Sequence, residues 1–168
     1  MTPLRVLVLA TGHAALAGYL ALMAQQWLSV SSGREGLATL FAPSSGLPGQ
    51  AWAAAIGGAI LGPVLHVVLS RLIAGVKRPR LVAMAAGVGY ALAVMLVTIL
   101  IWTPWMMVSG RGPGESVASA LLKAAFVALF GTPLLMITSA LLFAPVIALG
   151  GAAIGIAAIT IERRARLT

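Results

Sequence analysis

No cysteine and no aspartate occur anywhere in the 168 residues, and glutamate appears only as Glu35, Glu115 and Glu162. Without cysteine there are no disulfides, no thiolate metal centres and no cysteine nucleophile. Only 8% of the residues are charged, against about a quarter in an ordinary soluble domain. That is too little polar side chain to clothe a surface facing water.

What is present is apolar. Hydrophobic residues make up 61% of the chain, and runs of about 20 of them, enough to cross a ~30 Å hydrocarbon core, recur along it. The short alternating segments of a membrane barrel are missing. The sequence therefore reads as an all-α integral membrane protein. Its net charge of +8 invites a nucleic-acid partner, but the cations gather at the ends of apolar runs, where topology signals belong, and no basic stripe forms. Abundant arginine, alanine and glycine suggest a GC-rich bacterial genome, hence an inner (cytoplasmic) membrane. The first apolar stretch is longer than the core of a secretory leader and lacks a clear cleavage site, so a retained span is expected.

Spans are expected at about 6–27, 52–70 and 81–102. The apolar stretch 117–161 would reach about 67 Å as one helix, twice what a bilayer core needs. Gly131-Thr132-Pro133 is the expected break, because proline removes a backbone donor and disfavours helix just before it. A last span at about 133–161 would follow an outer interfacial or re-entrant helix at about 116–130. Four crossings keep Arg5, Arg71, Lys77, Arg78, Arg80, Arg163, Arg164 and Arg166 on one side, the cytoplasm, together with both termini. Trp27, Trp52, Trp102 and Trp105 then fall at the outer boundary, where indoles favour the headgroup region.

The halves of the chain resemble each other. "AIGGAILG" at 55–62 returns as "ALGGAAIG" at 148–155, and "WLSVSSGREG" from Trp27 resembles "WMMVSGRGPG" from Trp105. Arg5 and Trp27 bracket span one with the spacing that Arg80 and Trp102 give span three. Collinear order points to a tandem pair of two-helix hairpins, 1–73 and 80–164, inserted the same way up, with the extra helix in the second. The small residues have a physical use in such a bundle. Spans associate in lipid by close packing, which small side chains permit. The expected packing positions are Ala14, Gly18, Ala54, Gly58, Gly62, Ala85, Gly89, Gly151 and Gly155.

Few residues are equipped for chemistry. His13 and His66 fall in the inner half of the bilayer at similar depth and could ligate a haem b iron. Interhelical hydrogen bonding is the simpler role for both, and no cofactor is the leading expectation. Glu35 and Glu115 fall in outer loops and Glu162 in the inner tail. No carboxylate is then left mid-membrane for a proton-driven pump. Arg34 and Arg111, equivalent under the repeat, could contact an anion at the outer surface together with Lys123, although solvated loop charges and a snorkelling amine are the simpler readings. No metal site and no catalytic residue is expected. These readings favour a non-enzymatic accessory or scaffold subunit that associates with lipids and with other membrane subunits or copies of itself through small-residue faces. The alternatives are a small transporter or channel component with parallel repeats, and a haem-bearing electron carrier.

Overall fold

The computed structural model describes residues 2–31, 49–72, 76–112 and 114–164; among them there is helix and no strand. The elements are α1 (Pro3–Ser31), α2 (Gly49–Leu72), α3 (Pro79–Ser109), α4 (Val117–Phe126), α5 (Thr132–Leu142) and α6 (Gly151–Arg164). Five stretches of the described residues are long and apolar enough to cross a membrane: Pro3–Ala24, Gln50–Leu72, Pro79–Ser109, Val117–Leu142 and Val146–Arg164.

Glycine contacts set the direction of the packed helices. Gly18 lies against Ala51 and Ala55, whereas Gly58 and Gly62 lie against His13, so α1 and α2 run antiparallel. Gly57 faces Val94 and Val97 of α3. Gly151 abuts Gly87 and Val88, and Gly155 abuts Ala83, which makes α6 antiparallel to α3. The start of α1, the end of α2, the start of α3 and the end of α6 therefore share one end of the bundle. At the opposite end, Trp102 stacks on Trp105 at 5.0 Å between ring centroids and Trp52 meets Trp105 edge-on at 6.0 Å.

The stretch 117–142 differs from expectation. Ser116 starts α4, its hydroxyl accepting the Ser119 N–H at 3.2 Å, as an N-cap serine does. No break follows at Gly131-Thr132-Pro133. A π-helical turn, Val127–Gly131, carries the chain into α5, with the Thr132 N–H bonded to the Val127 carbonyl. Lengthening the hydrogen-bonded loop by one residue just ahead of Pro133 accommodates the donor that proline lacks. The interruption comes instead at Phe143, where φ is −105° and ψ 17°, two residues ahead of Pro145. A second π turn, Val146–Gly150, then leads into α6.

A buried polar cluster at one end of the bundle

The candidate site is assembled by the glycine seams. A Cβ on Gly62 would lie 2.5 Å from Cβ and Cγ of His13. Only glycine on α2 lets that imidazole enter the bundle. Once inside, the His13 ring lies edge-on to the His66 ring, centroids 5.4 Å apart and planes 79° apart. His13 Nδ1 is 3.0 Å from the hydroxyl of Tyr90 on α3. His66, wholly buried on α2, places Nδ1 2.9 Å from Oε1 of Glu162 on α6. The same oxygen accepts Nη2 of Arg5, from the start of α1, at 2.6 Å.

Five polar side chains from four helices thus form two hydrogen-bonded groups in ring contact: Arg5–Glu162–His66 and His13–Tyr90. Arg5 is one-third exposed and the other four are buried. With the Glu162 oxygen already accepting from Arg5, His66 Nδ1 is assigned as the second donor to it. His66 Nε2 is buried with no partner, and such an atom is rare in a folded interior. The arrangement holds a carboxylate between a guanidinium and an imidazole and ties α1, α2, α3 and α6 together through directional bonds.

Glu162 corrects the sequence reading. It is no solvated tail residue but a buried one. The residues Gly151, Gly155, Ala158, Ile159 and Glu162, all buried, share one face of α6. Extending the glycine face by two turns therefore reaches the carboxylate. The seam residues of α3 also differ from expectation: Ala83, Gly87, Tyr90 and Val94 are the buried ones. Gly89 has nothing within 4 Å of its would-be Cβ, and Ala85 is exposed. Ala54 is buried and Ala14 half-buried, while Gly18 makes ordinary contact at 3.4–3.5 Å.

A haem does not fit between the histidines. A haem held by both histidines needs its macrocycle between the two rings, each reaching the iron end-on through a nitrogen. Rings 5.4 Å apart are in contact with each other instead, and His13 is seated against Gly58 and Gly62. No group of three or more potential metal ligands converges among the described residues.

Arg34 and the side chain of Trp27 lie outside the described residues. Arg111 is exposed and donates to the Val108 carbonyl at 3.0 Å. Lys123 donates to Glu115 at 2.8 Å. That hydrogen bond, together with the Lys123 charge, holds the half-buried Glu115 carboxyl below the usual range.

The fold and site define an all-helical apolar bundle with a buried ionisable cluster at one end. Compared with protein-family models, curated proteins and solved structures, the chain finds no match.

Proposed function

We propose that this chain is a non-enzymatic accessory subunit of a larger membrane assembly, and that it meets its partner along α4 and α5. The observation that carries this reading is a stripe of large apolar side chains outside the bundle: Leu122, Phe126, Leu129, Phe130, Leu134 and Ile137 are each at least 60% exposed. Their spacing of three and four keeps them on one side of the helix. The small-residue faces first expected to bind partners are largely used within the bundle. In this reading α1, α2, α3 and α5 joined to α6 make four crossings, with α4 at the tryptophan end. Arg5 and Glu162 meeting at one end supports an even number of crossings, and the cation-rich end faces the cytoplasm. The tandem relation draws support from equivalent contacts: Gly58 against His13 in the first hairpin, Gly151 against Val88 in the second. Photo-crosslinkers placed at Leu122, Leu129 and Ile137 in the native membrane should capture the same polypeptide. Capture of lipid alone from all three positions refutes the reading.

A second reading, a small transporter component, is favoured by the buried Glu162–His66 pair, since ionisable groups at membrane depth mark ion pathways. Proteoliposomes carrying the protein would then acidify under an imposed pH gradient, and Glu162→Gln would abolish the flux. Equal flux in both preparations removes this alternative.

A further inference from the structure

We infer that the cleft between α2 and α3 is a binding site for one anionic phospholipid, its acyl chain in the cleft and its phosphate on the cations at the hairpin end. The cleft has a volume of about 290 Å³ and is lined by Leu61, Leu65, Val68 and Leu72 of α2 with Gly89 and Ala93 of α3. Its lining is almost entirely apolar and it is open to the outside of the bundle. That volume is about twice the ~150 Å³ of an apolar cavity that takes up a benzene, so it admits an acyl segment of about a dozen carbons. The α2 wall, from Leu61 to Leu72, is about 16 Å long at ~1.5 Å per residue, an elongated shape suited to a chain and not to a compact solute. Gly89 keeps the cleft open, for nothing lies within 4 Å of where its Cβ would be.

The charge sits where a headgroup would. Leu72 ends the α2 wall, and Arg71 beside it, with Lys77, Arg78 and Arg80 around the turn into α3, are all exposed. None of these four has a carboxylate within 4 Å among the described residues. The chain carries almost no acid with which to neutralise them. Cationic pockets between transmembrane helices attract anionic headgroups, and each basic side chain near the surface adds to the attraction. An apolar cleft running into an uncompensated cationic rim matches both halves of such a lipid. Tyr90 also borders the cleft, so the occupant would touch the residue whose hydroxyl meets His13. This inference is independent of the accessory-subunit reading.

The test uses the full chain, purified in non-ionic detergent, delipidated, and examined by native mass spectrometry with dioleoyl phosphatidylglycerol or dioleoyl phosphatidylcholine added. The wild-type protein should retain one phosphatidylglycerol about fivefold or more over phosphatidylcholine. Exchanging Arg71, Lys77, Arg78 and Arg80 together for glutamine should erase the preference. Gly89→Leu, which fills open space and leaves the packed seams alone, should abolish retention of either lipid while helicity is unchanged. Equal retention of the two lipids by the wild type overturns the proposal, as does undiminished phosphatidylglycerol binding by Gly89→Leu. A co-purifying polypeptide in place of lipid, released by Gly89→Leu, also overturns it.

Discussion

Replacing Glu162 with alanine removes the oxygen that both Arg5 and His66 use, and the two losses differ in size. Arg5 is one-third exposed. Its guanidinium can turn to water or headgroups at the bundle end, and its share should be under about 1 kcal/mol. His66 has no such escape. It is wholly buried, and its Nε2 is already without a partner. Losing the hydrogen bond to a charged acceptor costs about 1.5–3 kcal/mol and leaves both ring nitrogens unpaired. Glu162→Ala should therefore destabilise the bundle by about 2–4 kcal/mol. Reversible unfolding in mixed micelles would measure this, with helicity as the readout. Double-mutant cycles separate the two contacts. The coupling of His66→Ala with Glu162→Ala should exceed that of Arg5→Ala with Glu162→Ala by about 1 kcal/mol or more. A Glu162→Ala loss below about 0.5 kcal/mol would be that of an ordinary surface position, and would refute the argument. So would a larger coupling to Arg5 than to His66.

Three further outcomes follow from the same geometry. Tyr90→Phe strips the hydroxyl from buried His13 Nδ1 and should cost about 1–3 kcal/mol in the same unfolding assay. Gly155→Ala drives a methyl into the backbone of Ala83 and should cost about 1–3 kcal/mol through overpacking; Gly89→Ala, which meets nothing within 4 Å, should be neutral or stabilising by up to about 1 kcal/mol through helix propensity. Glu115, whose carboxyl is held down by Lys123, should titrate in an NMR experiment below the ordinary glutamate range, and Lys123→Gln should raise its midpoint. Because the folded value is the depressed one, the Glu115–Lys123 contact contributes above the ordinary carboxylate range and is lost as the pH falls through the depressed value.

The helical, apolar character of the chain is legible in composition alone, because hydropathy over about 20 residues reports length and burial together. The glycine positions that admit close approach on α2 and α6 are also legible, since the octets repeat a spacing of four. Which face of α3 receives them is not. Ala85–Gly89 and Ala83–Gly87 are equally small pairs at equal spacing, and only the bulk of Tyr90 and Val94 in line with the second pair distinguishes the buried face. The course through Gly131-Thr132-Pro133 escapes a local reading for a related reason. Proline forbids one hydrogen bond, not a helix, and a π turn supplies the alternative register. Glu162 escapes because two arginines follow it and make its surroundings read as a solvated tail, although its helical face belongs to the seam.

The cluster also bears on how the two proposed hairpins would come to form one asymmetric bundle. Under the proposed duplication, His13 corresponds to Val88, Tyr90 to Ala15, His66 to Ile159 and Glu162 to Leu69; of the five, only Arg5 has a like counterpart, Arg80. Leu69 and Ile159 are themselves buried, so matching positions are filled with hydrocarbon on one side of the relation and with ionisable groups on the other. Apolar surfaces in lipid scarcely discriminate one neighbour from another, since the tails are as apolar as leucine. A carboxylate that meets both His66 and Arg5 at one place does discriminate. Glycine seams then determine how closely the helices approach, and the polar cluster determines which helix meets which. On this argument, the residues most expensive to bury are those that make the pairing of the two hairpins unique.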